Sequence, residues 1–218
     1  MSDAKQQILK RVRGALRRKG PLGAGTIQGL EARMKAHPVP LKPVIDEDPV
    51  ERFASKVQIV AGSVDRLPSV AGVSDAVLAY LEREGLERDV VMAREPLLDA
   101  IAWSNQLAIA HRPAEDDDQV SVTSAFAGVA ETGTVVMLSA PSHPTTLNFL
   151  PETHIVVLER SRVVPHIEDV WARLRERNMP LPRTINMITG PSRTGDVELQ
   201  LELGAHGPRR LHVILIDD

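Results

Sequence analysis

Short apolar runs rich in β-branched residues alternate, along most of this chain, with segments whose apolar residues repeat every three or four positions. Runs of this length are typical of buried strands, and the longer spacing is typical of helices that bury one face. The predicted strands cover 89–93, 106–110, 134–139, 154–159, 184–189 and 211–216. The predicted helices lie near 53–61, 70–84, 95–103, 167–174 and 196–203. The alternation predicts an α/β domain over residues 50–218 with a mostly parallel sheet, in which ligands usually bind beyond the carboxyl ends of strands.

The first 20 residues form a separate basic block. They hold seven Lys or Arg residues against one acidic residue, Asp3, which gives a net charge of +6. Ile8, Val12 and Leu16 recur every four residues, so this block is predicted to be a short amphipathic helix. Three interpretations stay open: a solvated surface helix, a helix that docks on a partner protein, and a helix that binds a membrane surface or nucleic acid.

Residues 21–49 are rich in residues that interrupt regular structure. They contain five prolines and three glycines. Proline lacks a backbone donor and restricts the residue before it. We therefore expect a linker or extended arm between the basic helix and the α/β domain.

The chain contains no cysteine. This excludes disulfides, thiolate catalysis and Cys-ligated zinc or iron–sulfur clusters in this chain, and no cofactor is expected on it. The histidines lack the HxxxH and HExxH spacings, so no metal site is expected.

With 26 basic and 29 acidic residues, the chain is not expected to bind nucleic acid. No apolar run approaches the roughly 20 residues of a membrane span, and no secretory signal is visible, which favours a cytoplasmic protein.

The first of three loops that could carry chemistry is 128–134, which leads into a predicted strand. Its Glu131 is a candidate acid or base. Thr132, Gly133 and Thr134 are candidate ligand contacts, because glycine lets the backbone approach a ligand and the threonines offer hydroxyls. The alternative interpretation is a tight turn with an exposed glutamate.

The second loop, 189–196, lies between a predicted strand and a predicted helix. Loop amides and the Arg193 guanidinium could converge on an anion at the helix N-terminus. The other candidate contacts in this loop are Gly190, Ser192, Thr194 and Asp196. The alternative is that these residues only cap the helix.

The third loop, 204–209, precedes the last predicted strand. His206 is a candidate acid or base, and Gly207 is a candidate ligand contact. The alternative is a structural histidine in a turn. A further segment, 142–151, is long and rich in proline and threonine, and it is a candidate lid or partner surface.

Four segments taken together carry a family resemblance: Ala130-Glu131-Thr132-Gly133-Thr134, Leu150-Pro151-Glu152-Thr153-His154, 189–196 and 204–209. Their order and spacing resemble the lactate-utilisation protein C (LUD-domain) family over about residues 50–218. The resemblance implies a single-domain fold of the NagB/RpiA/CoA-transferase-like type. It also implies a role in oxidising L-lactate to pyruvate beside two iron–sulfur proteins, with the clusters in those partners. It assigns no catalytic residues.

Three hypotheses follow for the function. The leading one is a non-redox subunit of an L-lactate-oxidising system, which binds a small carboxylate, a phosphate-bearing ligand or a partner through loops 128–134, 189–196 and 204–209. The second is a self-sufficient enzyme that handles acyl or phosphate esters. The third is an interaction scaffold with a vestigial pocket. In the first reading the chain is a component of a complex rather than an enzyme alone.

Overall fold

A computed structural model of the protein describes residues 3–17, 20–36, 41–195, 201–203 and 206–217. The chain divides into two compact units, Met1–Lys42 and Pro43–Asp218. In the first unit, helix α1 (Asp3–Ala15) lies within the basic block. Ile8 and Val12 on this helix, and Leu16 just after it, are exposed.

Within the expected linker or extended arm, Ala24–Ala36 forms helix α2 rather than extended chain. The prolines that suggested an arm lie outside this helix, at position 21 and from position 38 onward. Between them the sequence is dominated by Ala, Leu, Glu, Arg, Met and Lys, which favour helix.

The second unit holds the α/β domain. Its helices are α3 (Pro49–Ile59), α4 (Val73–Glu84), α5 (Pro96–Asp99) and α6 (Ile167–Glu176). Its strands are β1 (Ser63–Leu67), β2 (Asp89–Met92), β3 (Ala108–Ala110), β4 (Val120–Ser124), β5 (Ala127–Val129), β6 (Thr134–Leu138), β7 (Thr153–Glu159), β8 (Val163–Val164), β9 (Ile185–Ile188), β10 (Arg193–Gly195), β11 (Leu201–Leu203) and β12 (Arg210–Ile216).

A six-stranded sheet forms the centre of this unit, with strand order β1-β12-β7-β4-β2-β3. All of its pairings are parallel. The prediction of an α/β fold with a mostly parallel sheet is therefore confirmed. A second sheet, β8-β5-β6-β9, is mainly antiparallel, and β10 and β11 form a separate antiparallel pair.

The alternation of side chains along β7 explains how the layers pack. Ile155 and Val157 point to one face of the central sheet, where they meet helix α4. Val156 and Leu158 point to the other face, where they meet α3 and the inner face of the second sheet. Both faces of the central strands are covered, which is why these strands read as continuous apolar runs.

Two predicted helices differ from the structure. The helix expected over 95–103 is only the short α5, because the chain turns after it and the Trp103 indole N–H donates to the Leu98 carbonyl over 2.9 Å. The helix expected near 196–203 is wrong at 201–203, which pairs with β10 as strand β11. Positions 196–200 lie outside the described residues. Along the part of the chain that the structure describes, no helix is long and apolar enough to cross a membrane.

Candidate functional site

A cavity of about 350 Å³ opens at the carboxyl ends of β2 and β4. Glu95 follows β2 by three residues, and Ser124 is the last residue of β4. Both line the cavity, together with His143 from the loop after β6. This is the edge of a parallel sheet at which ligands usually bind.

Glu95 and His143 form a hydrogen-bonded pair at the wall of this cavity. His143 Nδ1 lies 3.0 Å from Glu95 Oε1, and the Ser124 amide donates to Glu95 Oε2 over 2.8 Å. His143 Nε2 lies 2.9 Å from Asn148 Oδ1. Because both partners of the ring are oxygen acceptors, both ring nitrogens donate, which is the protonated form of histidine.

The electrostatics of the pair agree with that protonation state. Burial alone would raise the pKa of the Glu95 carboxyl, but the hydrogen bond and positive charge of His143 and the Ser124 amide lower its pKa below the ordinary value. Burial alone would lower the pKa of His143, but the Glu95 hydrogen bond and charge, helped by Asn148, raise it. The His143 side chain is 2% exposed and that of Glu95 is 20% exposed, so the pair holds opposite charges in a poorly solvated place.

Two arginines add positive charge to the cavity. Arg162 donates to the Ala125 carbonyl over 3.1 Å and pairs with Glu159. The Arg177 guanidinium lies 5.5 Å from the centre of the Phe126 ring. Within the described residues, no carboxylate forms an ion pair with Arg177, which leaves its charge available to an anion.

The three loops singled out in the sequence lie at the opposite end of the central sheet. Residues 206–209, the described part of the third loop, precede β12, so they belong to the amino end of that strand. The Ser192 amide donates to the Pro208 carbonyl over 2.8 Å, and the His206 amide lies 3.4 Å from Ser192 Oγ. Among the described residues, 189–195 and 206–209 are thus brought together, with Gly207 against Ser192.

Loop 128–134 joins them through threonine hydroxyls. Thr134 Oγ1 lies 2.6 Å from Thr132 Oγ1 and 2.7 Å from Thr189 Oγ1. Glu131, however, faces His166, with 3.3 Å between Oε2 and Nδ1. The structure gives no contact between Glu131 and His206.

Arg193 is the residue of these loops that was expected to bind an anion. Its guanidinium donates to the backbone carbonyl of Val60 over 3.1 Å. Arg193 and Thr194 belong to strand β10, so the expected helix does not start beside them. Asp196 lies outside the described residues.

Gly133 and Gly190 have a packing role that their spacing did not reveal. Both adopt positive φ, +71° and +78°. A Cβ on Gly133 would come within 2.6 Å of the Lys56–Val57 peptide, and one on Gly190 within 2.6 Å of the Val60 carbonyl oxygen. Two turns therefore contact the end of α3 at a distance that only glycine permits.

Comparisons with known proteins bear on the whole second unit. The model of the LUD domain matches residues 54–216. The chain is 34% identical over 119 residues to Lactate utilization protein C of Geobacillus thermodenitrificans (strain NG80-2), which covers 53% of this chain and 50% of that protein. It is 28% identical over 183 residues to the uncharacterized protein YkgG of Escherichia coli (strain K12), covering 77% and 78%.

The chain thus spans about half the length of the lactate utilization proteins that it matches. Among solved structures, a DUF162 family protein from Deinococcus radiodurans is similar, with a TM-score of 0.58 and 19% identity. The similarity covers 80% of this chain and 99% of that one, and it shows a shared fold.

Proposed function

This chain belongs to the LUD domain family, and from that membership we propose that it acts in lactate utilisation by binding a small carboxylate anion at the carboxyl ends of β2 and β4. Similar proteins carry the name lactate utilization protein C, which supports the metabolic role. The Glu95–His143 pair in the wall of a cavity supports the place of binding.

Each charged group of the cavity has a distinct task in this proposal. Arg177 pairs with the carboxylate of the ligand, because its guanidinium fits a carboxylate and no described side chain neutralises it. His143, whose two ring nitrogens are occupied by Glu95 and Asn148, contributes positive charge to the cavity wall rather than a hydrogen bond to the ligand. Glu95 holds the imidazole in its protonated form and fixes its orientation through the 3.0 Å contact.

The redox step is assigned to partner proteins. The chain has no cysteine, so it offers no thiolate ligand for an iron–sulfur cluster. In our proposal, two iron–sulfur proteins accept the electrons of L-lactate oxidation, and this chain contributes the anion site.

The test is lactate-dependent reduction of an artificial acceptor by this chain alone, by the partners alone and by all three. Activity in the partners alone would contradict the proposal.

Binding to the isolated chain tests the site itself. Titration calorimetry with L-lactate and with pyruvate is compared for the wild type, Arg177→Ala and Arg193→Ala. A charge-assisted contact contributes about 1.5–3 kcal/mol, so Arg177→Ala should weaken binding by roughly 10-fold to 100-fold. Arg193→Ala should leave the affinity unchanged. The reverse result would move the site to loops 128–134, 189–196 and 204–209.

A further inference from the structure

Three cavities lie side by side around one short loop. The cavity described above is joined by one of about 370 Å³, which is lined in part by Thr145 and Arg183, and by one of about 100 Å³, lined in part by Arg94 and His111. Pro141 lines all three, and His143 lines the first two. The three spaces therefore adjoin one another at the loop that holds Pro141.

The loop between the cavities is held by the backbone. Ala140 and His143 exchange backbone hydrogen bonds of 3.2 and 3.0 Å, which closes a tight turn. The Arg94 amide donates to the Ser142 carbonyl over 2.9 Å, so Arg94 is fixed beside the turn. A ligand lying across Pro141 would meet an ordered surface on both sides.

The small cavity carries positive charge that the protein does not neutralise. Asp118 binds Arg112 through two contacts of 2.6 and 2.8 Å, which leaves that arginine paired. Arg94 and His111 also line the cavity, and neither forms an ion pair with any described carboxylate. The Ala114 amide donates to Thr146 Oγ1 over 3.1 Å, which ties the segment after His111 to the neighbouring loop.

This arrangement is unexpected in an acidic chain. The net charge is −3, and residues 1–20 alone carry +6, so the remaining residues carry −9. Carboxylates are in excess there, and Glu95 lines the first cavity. Even so, neither Arg94 nor Arg177 forms an ion pair with a described carboxylate. Unpaired cations in two cavities that share Pro141 suit a ligand with an anionic group at each end.

We propose that the natural ligand of this site is a small molecule with two anionic groups, a dicarboxylate or a phosphorylated carboxylic acid, which lies across Pro141 from Arg177 to Arg94 and His111. The inference rests on the proposed anion site at Arg177 and deepens it by naming the ligand class. A monocarboxylate such as lactate occupies only the Arg177 end. The second end is a subsite whose partners are Arg94 and His111.

Titration calorimetry with ligands of graded length tests this class. The probes are L-lactate as monocarboxylate, and succinate, glutarate and adipate as dicarboxylates of increasing span. We expect at least one dicarboxylate to bind the wild type about tenfold more tightly than L-lactate, since a second charge-assisted contact forms. Arg94→Ala should remove that advantage and leave the affinity for L-lactate unchanged. The control is Arg88→Ala, because Arg88 lies just before the amino end of β2 and donates only to Gln106 among the described residues.

A second readout reports on the subsite directly. The imidazole NMR signal of His111 should shift when the best dicarboxylate saturates the protein, because the second anionic group of the ligand lies against the ring. L-lactate should not move it. Equal affinity for all four probes, or a dicarboxylate advantage that survives Arg94→Ala, would overturn the inference. If Arg177→Ala has no effect on L-lactate while the Arg94 result holds, the proposed function fails and the second subsite stands.

Discussion

Two carboxylate–histidine pairs lie at opposite ends of the central sheet, and the pKa of the histidine is shifted in opposite directions in the two pairs. At the carboxyl end, His143 lies 3.0 Å from Glu95 and borders a cavity. At the amino end, His212 Nε2 in β12 lies 3.4 Å from Asp65 Oδ2 in β1, without forming a hydrogen bond to it. His212 Nδ1 instead contacts Ser63 Oγ at 2.8 Å, and the Tyr80 ring stacks on the imidazole at 4.1 Å.

The two histidines show which effect decides the charge of a buried imidazole. Burial lowers the pKa of His212 to about 4, and the Asp65 charge, opposed by Arg83, does not recover the loss. For His143 the hydrogen-bonded Glu95 and the acceptor Asn148 outweigh burial, and the pKa is raised. The shorter contact of the Glu95 carboxylate thus outweighs burial and raises the pKa of His143, whereas the more distant Asp65, opposed by Arg83, does not offset the burial of His212.

The largest effect is expected from removing the carboxylate at the carboxyl end. Glu95→Ala leaves the His143 ring and the Ser124 amide without their partner. Loss of one member of a buried pair costs about 3–5 kcal/mol, and the partial exposure of Glu95 places the expected loss near 3 kcal/mol. Urea unfolding at pH 7 measures it. A loss below about 1 kcal/mol would show that the pair does not hold His143 charged.

The pH dependence of stability should have opposite signs for the two histidines. The pKa of His212 is lowered from 6.5 to about 4, so the unfolded chain binds its proton first as the pH falls. Stability is then lost between pH 6.5 and about 4, with a slope of up to about 1.4 kcal/mol per pH unit. The raised pKa of His143 gives stability that is present below pH 6.5 and is lost as the pH rises through its folded value.

Single substitutions separate the contributions of the two histidines to the pH dependence of the free energy of unfolding. His212→Asn should flatten the free energy of unfolding between pH 6.5 and 4, and His143→Asn should flatten it above pH 6.5. The fully buried His154, whose pKa burial lowers to about 3, keeps an acid slope in the His212 variant. Urea unfolding across pH 4–8 measures both slopes. Identical curves for the two variants would mean that the pKa values of the two histidines are not shifted in opposite directions.

The smallest effect is expected from Asp65→Asn. The Asp65 side chain is 35% exposed, and its neighbour His212 is neutral at pH 7. Partly exposed contacts of this kind contribute about 0–1 kcal/mol, so the urea midpoint should hardly move. A loss comparable to that of Glu95→Ala would mean that His212 is charged and that the comparison between the two ends is wrong.

Much of the fold could be predicted, because buried parallel strands carry a strong signal. The runs at 154–159 and 211–216 became β7 and β12, and the apolar spacing of 167–174 became α6. Strand β1 was missed because its sequence, SVDRL, carries an acidic and a basic residue at the edge of the sheet. The sequence predicts helix at 201–203, but this segment forms strand β11. Its pairing with β10 overrides the local preference of so short a segment.

The candidate cavity was not predicted from the sequence, because the predicted site residues belong to loops 128–134, 189–196 and 204–209. The rule for parallel sheets pointed to the carboxyl ends of the strands, and the segment that holds His143, 142–151, was a candidate only for a lid or a partner surface. Glu95 and His143 are 48 residues apart, so no local spacing joins them. The same rule could have placed loop 204–209 at the other end, because a loop that precedes a parallel strand lies at the strand's amino end.

The close approach of two turns to the end of α3 has a consequence for how such a domain can change. Gly133 and Gly190 contact the helix with main chain rather than side chains, so the distance between these two turns and α3 is set by peptide groups. Residues of the neighbouring core can then be exchanged for others of similar volume without altering that distance. If both glycines are kept, the side chains of this core can be redesigned while the end of α3 keeps its position.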